Sequence, residues 1–486
     1  MPDREYGSGV IKGSMNQASS SALLIDFGST YTKLRAVDIA GRRIIGSGQG
    51  PSTVTSDVTV GFREALADLE RRIGGLPAFR HRLASSSAAG GLRMVTVGLV
   101  PDLTAEAARR AALGAGAKLV GTFSYHLTRE DVTAIRDLKP DILLLAGGTD
   151  GGNRDVIVGN AAALGGAGLE CPVVLAGNRS AVDEAREQLA GVEVIVTENV
   201  MPEYNVLNIE PARHALRQVF IDRVVHAKGI DRAQALFDAV LMPTPAAVME
   251  GARLLADGVG EERPGLGGLL VVDPGGATTD VHSIWEGAPA EGVIQRGLPE
   301  PRAKRTVEGD LGMRHNALTI AEAAGIETIA RDAGLAVDVA RERIDRLARD
   351  VERLPGDPEE YALDRALARS AVRLAVERHA GHLETVYTAH GPATVQFGKD
   401  LTRVDTIIGT GGVLAHSKKA ADILQAVVAG PTDALSLCPR QPQLLLDRDY
   451  ILYACGLLAS VEPEAAYDLV VSNLCPADKE TSHEQC

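Results

Sequence analysis

Two segments far apart in this chain follow the same plan, and this repetition constrains the fold more than any other feature. Residues 23–38 (LLIDFGSTYTKLRAVD) and residues 269–284 (LLVVDPGGATTDVHSI) each contain an apolar run that ends in an aspartate. A glycine-rich turn with hydroxyl residues follows, and a second run leaves the turn. Short apolar runs bounded by such turns predict β-strands. Each segment therefore predicts a β-hairpin, and the pair predicts a duplicated architecture.

The residue types in the two turns suit the binding of phosphate. Glycine lets consecutive backbone N–H groups approach phosphate oxygens, and Ser and Thr hydroxyls add further donors. An aspartate at the strand end can hold Mg²⁺ through water, and the ion neutralises the phosphates. The candidate magnesium residues are Asp26 and Asp273, and the candidate phosphate contacts are Gly28, Ser29, Thr30, Gly275, Gly276, Thr278 and Thr279. Two such hairpins facing one another would hold the phosphates of ATP from both sides.

A third glycine-rich segment, residues 406–416 (TIIGTGGVLAH), predicts a strand that ends at Gly409 and a helix that opens at Gly411 and Gly412. Bare glycine backbone can lie flat against a purine and a ribose, and a helix N-terminus favours a nearby phosphate. Together with the two hairpins, this segment predicts the adenosine contact. The sequence has no GxxxxGK[ST] motif, which excludes a P-loop protein.

Charge and composition limit the kinds of binding partner that we expect. The formal net charge is −14, and a negative chain repels phosphate backbones, so nucleic acid is not an expected partner. No apolar run reaches the roughly 18 residues of a membrane span, and the first twenty residues lack the apolar core of a signal peptide. The five cysteines include no CxxC pair. We therefore expect a cytoplasmic protein with no membrane partner.

The remaining sequence predicts two lobes and an insertion. Lobe I is expected over residues 21–258 and lobe II over 259–474, with loose tails at 1–20 and 475–486. Within lobe I, residues 90–200 alternate apolar runs with amphipathic helices, which predicts a parallel βα module. A weak strand is expected over 53–60, followed by a helix near 62–72, and residues 205–258 are expected to be mostly helical.

One glycine-rich loop of the module, AGGTDGGN at residues 146–153, follows an apolar run and precedes a helix. Ligands of parallel α/β sheets bind at the carboxyl ends of the strands. Gly148, Thr149, Asp150 and Asn153 are therefore candidates for a loop that faces a ligand or a partner. A tight βα turn without any ligand explains the same residues equally well.

The three motifs resemble those of actin, the seventy-kilodalton heat-shock chaperones and the sugar kinases. This resemblance implies a two-lobed actin-like α/β ATPase fold with duplicated ribonuclease H-like lobes. It places Lys33 where actin carries a lysine that contacts phosphate. Residues 307–316 (VEGDLGMRHN) resemble the start of a chaperone helix that approaches the nucleoside, which makes Glu308 and Asp310 candidates there.

A weaker match concerns hydrolysis. Residues 242–251 (MPTPAAVMEG) resemble the connecting helix of the chaperones, whose motif begins with a glutamate that orients the attacking water. Met242 stands at that position here. The resemblance therefore implies slow hydrolysis or the use of another acid, for which Asp280 and Asp150 are the candidates. With Asp26 and Asp273, Asp280 completes the expected catalytic set.

Within that superfamily, the closest resemblance over roughly residues 22–472 is to the glutamate mutase accessory family, called MutL. It rests on IDFGSTYTKL, ASSSAAGGLRM, LLLAGGTDGGN, VVDPGGATTDVHS and IIGTGGVLAH. The resemblance implies a chaperone-like reactivating factor that uses ATP and Mg²⁺ to expel damaged cobalamin. Its partner would be an adenosylcobalamin-dependent mutase, such as glutamate mutase or a related aminomutase.

Other functions are also consistent with these hairpins. A hydantoinase A-like or sugar kinase-like enzyme would use the ATP site to act on a small molecule. A nucleotide-binding scaffold without useful hydrolysis is suggested by Met242. Radical-enzyme activators hold an iron–sulfur cluster with paired cysteines, and the sequence has no short-spaced pair.

Overall fold

The computed structural model describes residues 20–28, 31–53, 57–86, 93–227, 238–389, 391–430 and 432–478. The strands are β1 (Ser21–Phe27), β2 (Tyr31–Asp38), β3 (Arg43–Pro51), β4 (Phe79–Ser86), β5 (Arg93–Gly98), β6 (Lys118–Ser124), β7 (Ile142–Leu145), β8 (Val173–Leu175), β9 (Val194–Val196), β10 (Ala239–Pro243), β11 (Gly258–Val259), β12 (Arg263–Pro264), β13 (Leu269–Pro274), β14 (Thr279–Ile284), β15 (Ile294–Arg296), β16 (Ala303–Glu308), β17 (His382–Thr388), β18 (Gly391–Phe397), β19 (Thr406–Gly409), β20 (Gln443–Asp447) and β21 (Leu474–Pro476).

The α-helices are α1 (Val58–Ile73), α2 (Glu106–Gly114), α3 (Arg129–Asp137), α4 (Asp155–Gly165), α5 (Val182–Gln188), α6 (Glu210–Ala227), α7 (Thr244–Asp257), α8 (Ala317–Ala324), α9 (Ile326–Ala333), α10 (Val337–Arg349), α11 (Pro358–His379), α12 (Gly412–Ala415), α13 (Ala420–Gln425), α14 (Leu452–Leu458) and α15 (Pro463–Asn473). A π-helical turn at Pro101–Ala105 leads into α2, and a 3₁₀ turn at Arg179–Ala181 leads into α5. None of the helices in these ranges is long and apolar enough to cross a membrane.

The first sheet has the strand order β3-β2-β1-β4-β10. The first three strands form an antiparallel meander, and β4 and β10 run parallel to β1. Strand β1 is buried on both faces: Leu23, Ile25 and Phe27 pack against α1, while Ala22 and Leu24 face a second core. This explains why its sequence is a continuous apolar run rather than an alternating one.

The second sheet repeats the plan of the first. Its order is β16-β14-β13-β19-β20, with β21 added at one edge. The meander β13-β14-β16 is again antiparallel, and β19 and β20 run parallel to β13. Two sheets with the same order and directions confirm the predicted duplication and the actin-like, two-lobed fold.

Two helices hold the duplicated sheets together. Helix α7 follows β10 in the first half, α14 follows β20 in the second half, and the two pack against each other through glycines. A Cβ atom on Gly456 would lie 1.8 Å from the carbonyl oxygen of Ala247, and one on Gly251 would lie 2.5 Å from that of Leu452. Residues of both sheets and both helices share one apolar core. The backbones therefore approach too closely for any side chain at these positions.

The inserted module forms a sheet of its own, with all neighbouring strands parallel in the order β6-β5-β7-β8-β9. This confirms the predicted βα module. Helix α3 begins with a capping box, in which the side chains of Thr128 and Asp131 each accept a hydrogen bond from the other's backbone N–H group. The module core also takes in Leu298, which lies between β15 and β16.

Of three local predictions, two were wrong and one was confirmed. Residues 57–60 do not form a strand, because Asp57 caps α1 and helical spacing buries Val58, Phe62 and Leu69. Residues 205–258, expected to be mostly helical, are so in their described part, which holds α6 and α7, and they also contain the strand β10, which pairs with β4. The tail expected to be loose from residue 475 begins later, because β21 pairs with β20 and Cys475 is 2% exposed. The rest of the two expected tails, residues 1–19 and 479–486, lies outside the described residues.

We expect Gly456→Ala to lower the free energy of unfolding by about 1–3 kcal/mol, because the new methyl group must push α7 and α14 apart. Urea denaturation would measure the effect. Gly166→Ala is the matched control, since its nearest contact would be an ordinary 3.7 Å. Equal stability of the two variants would contradict the close packing of the helices.

Candidate functional site

A cleft of about 1470 Å³ brings the sequence motifs together. The predicted site residues that line it are Asp26, Gly28, Lys33, Asp273, Gly275, Gly276, Thr278, Asp280, Glu308, Gly411 and Gly412. The two hairpins, separated by more than two hundred residues of sequence, thus meet at one cleft. The third glycine segment lies beside them.

The first hairpin delivers a buried aspartate. Asp26 is 2% exposed, and its Oδ1 accepts a hydrogen bond of 2.6 Å from the Thr244 hydroxyl at the start of α7. Burial raises the pKa of Asp26, while the nearby Lys33 and the Thr244 bond oppose that rise. At Gly28 a Cβ atom would lie 2.5 Å from the carbonyl oxygen of Tyr31, so the turn excludes a side chain.

Lys33 stands opposite Asp26 in the pairing of β1 with β2. Its Nζ lies 4.1 Å from the ring centroid of Tyr450, a cation–π contact that fixes the ammonium group at the cleft. The charge of Lys33 acts on Asp26 and also lowers the pKa of Asp273. The positive charge of one lysine therefore favours the ionised form of the aspartates of both hairpins.

Asp273 is a carboxyl group of the cleft whose pKa is strongly raised. Burial raises its pKa to about 7, and the negative charge of Asp280 adds to the rise. No hydrogen bond or ion pair joins Asp273 to a cationic side chain among the residues that the structure describes. A Cβ atom at Gly411 would lie 2.1 Å from Asp273 Oδ1, so the third motif directly abuts the second.

The second hairpin separates its two threonines. Thr278 lines the cleft, and its hydroxyl donates to Asp280 Oδ2 at 3.1 Å. Thr279 is fully buried, and its hydroxyl donates to the carbonyl of Leu311 at 2.7 Å. The expected phosphate contact from Thr279 is therefore wrong, since the alternation of the strand turns this side chain away from the cleft.

Asp280 is held by Arg305. The Nε and Nη2 atoms of Arg305 donate to Asp280 Oδ1 at 2.9 and 2.6 Å. With the Thr278 bond, both carboxylate oxygens of Asp280 are engaged. Asp280 faces the cleft as predicted, but it is not a free base.

Of the remaining candidate residues, some line the cleft and others do not. Glu308 lines the cleft, and Arg378 binds both Glu308 and Asp310. Gly409 does not line the cleft: a Cβ there would meet Leu414, Leu424 and Leu446 in the core, so this glycine serves packing rather than the expected nucleoside contact. Ser29 and Thr30 lie outside the described residues.

The loop of the module is a self-contained turn. Asp150 Oδ1 accepts from the Arg179 backbone N–H at 3.0 Å and from Asn199 Nδ2 at 2.9 Å. Asn199 also binds the carbonyl of Gly148, and Asn178 binds that of Asn153. Thr149 sits within the same turn, with its backbone carbonyl accepting from Gly152. These bonds favour the tight-turn interpretation, and Asp150 does not line the cleft.

Sequence reasoning missed several cleft residues. Thr244 lies two residues after Met242 in the chaperone-like motif, but the sequence pattern gave it no role. The structure buries Met242 in β10 beside Ser85. Arg305 and Tyr450 belong to no recognisable motif. Their positions depend on the pairing of β14 with β16 and on the packing of the loop before α14.

The site fits a magnesium ion held mainly through water and phosphate. Asp273 is a carboxylate whose burial and neighbours disfavour its charge, so an added cation would stabilise it. No group of three or more His, Cys, Asp or Glu side chains suited to a metal occurs in the described ranges. Mg²⁺ bound to nucleotide needs only one or two carboxylates from the protein, which this cleft supplies.

The duplicated sheets and the cleft define a two-lobed α/β protein of the actin-like class. Residues 22–474 match the family model described as MutL protein. The chain is 49% identical over 451 residues to Protein MutL of Clostridium tetanomorphum, covering 91% of this chain and 97% of that one. The chain therefore belongs to the MutL family.

Solved structures resemble this chain only distantly. The nucleotide-free structure of an acetone carboxylase is 14% identical with a TM-score of 0.40, covering 91% of this chain and 70% of that one. Xylulose kinase from Bifidobacterium adolescentis is 12% identical with a TM-score of 0.31, covering 94% of each chain. The fold assignment rests on the sheets described above.

The raised pKa of Asp273 predicts a pH-dependent stability without ligand. A carboxyl group with a folded pKa of about 7, above its ordinary value near 4, adds stability that is lost as the pH rises from about 4 through 7. The free energy of unfolding of Asp273→Asn should therefore rise relative to that of the unmodified protein as the pH increases from 5 to 8. The change should be at most about 1.4 kcal/mol per pH unit. Urea denaturation at each pH would measure this.

Asp38→Asn is the control for that series. The backbone N–H of Gly41 holds the pKa of Asp38 below its usual range, so this group is ionised in both states throughout that pH range. Its effect on stability should stay constant from pH 5 to 8. A constant effect of Asp273→Asn as well would contradict the raised pKa.

Proposed function

We propose that this protein binds Mg²⁺ and ATP in the cleft, hydrolyses ATP slowly, and reactivates an adenosylcobalamin-dependent mutase of the glutamate mutase type. It would do so by promoting the release of damaged cobalamin. Two findings support the proposal: membership of the MutL family, and the meeting of three glycine-rich motifs at one cleft. No part of the proposal requires nucleic acid or a membrane.

The convergence of the two hairpin aspartates around Lys33 carries the nucleotide part of the proposal. Lys33 and backbone N–H groups of the two turns, such as that of Gly276, would donate to phosphate oxygens. The N–H groups of Gly28 and Gly275 hold the turns in shape by donating to the carbonyls of Tyr31 and Thr278. Asp26 and Asp273 would hold the hydrated metal ion, which neutralises the phosphates. Gly411 and Gly412 would leave room for the nucleoside, because bare backbone at these positions lets the ligand approach. Such positioning and charge neutralisation are what phosphoryl chemistry mainly requires.

Slow hydrolysis follows from the acids that are present. Met242 is apolar and buried where the chaperones carry a glutamate. Asp280 is the remaining carboxylate near the end of the hairpin, but Arg305 and Thr278 occupy its oxygens. It can orient a water molecule only through its remaining lone pairs. We propose that Asp280 positions the attacking water molecule and that hydrolysis is therefore slow.

A cobalamin enzyme would need such a partner because of its cofactor. Radical chemistry on cobalamin can lose the adenosyl group and leave an inactive corrinoid, which the enzyme must release. A two-lobed protein whose cleft closes around nucleotide can bias the opening of a partner, provided that the partner binds the two states differently. ATP would therefore drive corrinoid release by changing the affinity for the mutase.

A small-molecule enzyme of the hydantoinase A or sugar kinase type is the second candidate. The observation that favours it is the volume of the cleft, about 1470 Å³, which exceeds the roughly 300–1000 Å³ of ordinary ligand pockets. Turnover of amidohydrolase or kinase substrates faster than ATP hydrolysis alone would support this candidate over the accessory role.

We expect Asp26→Ala and Asp273→Ala each to weaken the binding of ATP in the presence of Mg²⁺ by at least about tenfold, or 1.4 kcal/mol, because the metal loses its anchor. Isothermal titration calorimetry would measure this. Asp137→Ala, on an exposed position of α3, is the matched control and should bind normally. Unchanged affinity in both cleft variants would contradict the assigned roles.

The accessory role predicts recovery of an inactivated mutase. Glutamate mutase loaded with hydroxocobalamin should regain activity in free adenosylcobalamin only when this protein, ATP and Mg²⁺ are all present. Asp273→Ala should fail to restore activity, since it cannot hold the metal. Equal recovery without ATP, or no recovery with the complete mixture, would refute the role while leaving nucleotide binding intact.

A further inference from the structure

Arg305 is the one residue of the cleft wall whose side chain reaches both the second hairpin and the inserted module in the described structure. It lies on β16, opposite His282 of β14, and is 7% exposed. Two of its nitrogens donate to Asp280, and the third, Nη1, donates to the carbonyl of Leu113 at 3.0 Å. A single guanidinium therefore joins the end of the candidate phosphate site to the last turn of α2.

The bond to Leu113 is the weaker half of this bridge. Leu113 offers a neutral carbonyl, although its place at a helix C-terminus adds some negative charge. Asp280 offers a full negative charge, so the Coulomb attraction of the guanidinium is larger there than at the neutral carbonyl. A phosphate oxygen entering this end of the cleft would therefore compete first with the Leu113 carbonyl for Arg305.

Helix α2 has further contacts with lobe II away from the hairpin. Arg110 binds Glu106 on its own helix, and it binds the carbonyl of Pro299 at 2.7 Å and Glu300 at 2.9 Å. Leu298 adds an apolar anchor in the module core. Loss of the Arg305 bond would thus loosen one end of α2 while the module stays attached.

We infer that Arg305 couples the cleft to the inserted module, so that binding of MgATP releases the C-terminal turn of α2. The inference rests on the proposed nucleotide site. The stretch that follows α2, Gly116 to Leu119, also lines the cleft, so the released turn lies beside the bound nucleotide. Arg305 is a positioning residue in this scheme, and the module would carry the nucleotide state to its own surface.

Hydrogen exchange of the backbone amides of residues 115–117 tests the coupling, because these amides bond to the carbonyls of α2. Exchange would be followed by mass spectrometry with and without MgATP, at saturation established by calorimetry for each protein. In the unmodified chain, we expect MgATP to speed exchange there by at least about fivefold, within the range of ordinary coupling. Exchange in α3 of the same module should not change.

Arg305→Lys keeps a cation beside Asp280 but loses the planar fork that binds two acceptors at once. In this variant we expect fast exchange at residues 115–117 without nucleotide and no further response to MgATP. Arg110→Lys makes the same chemical change at the same junction, away from the hairpin. It should retain the response to MgATP.

The outcomes separate the two proposals. If calorimetry shows no binding of MgATP, the nucleotide site and the coupling both fail. If MgATP binds but leaves exchange at residues 115–117 unchanged or slower, only the coupling is refuted. A normal response in Arg305→Lys, or a loss of response in Arg110→Lys as well, would equally overturn the role of Arg305.

Discussion

The close crossing of α7 and α14 is the constraint on which the rest of this protein depends. Each helix presents a glycine to the backbone of the other, and each carries the chain away from a parallel strand of one sheet. Packing without side chains at the contact fixes the two duplicated sheets at one separation. Because each hairpin begins from the central strand of its sheet, the same contact decides how far apart Asp26 and Asp273 lie.

Electrostatic strain follows from that geometry. The two hairpin carboxylates share a buried environment in which the charge of Lys33 acts on both, while the neighbouring Asp280 is paired with Arg305. Such an arrangement is costly unless a cation and its anionic ligand complete it. Burial raises the pKa of Asp273 to about 7, and carboxyl groups perturbed in this way cluster at functional sites. The same cluster connects to Arg305, and through it to the inserted module.

The hairpins show both the reach and the limit of sequence pattern. Their strands, turns and aspartates were predicted correctly, because each depends on neighbours within about ten residues. Thr278 and Thr279 looked equivalent in sequence, yet only Thr278 reaches the cleft. Gly409 likewise belonged to a glycine motif but packs against three leucines. The error at residues 57–60 arose where helical burial outweighed a weak local preference for strand.

By itself, the sequence determined the duplicated architecture, the parallel βα module and the chemistry of the two turns, since apolar periodicity and glycine placement act locally. Only the tertiary structure decided which side chains share the cleft. Thr244 reaches Asp26 from α7, Tyr450 supports Lys33, and Arg305 joins Asp280 to Leu113. These contacts span long stretches of chain, and they depend on strand register and helix packing, which no local pattern encodes.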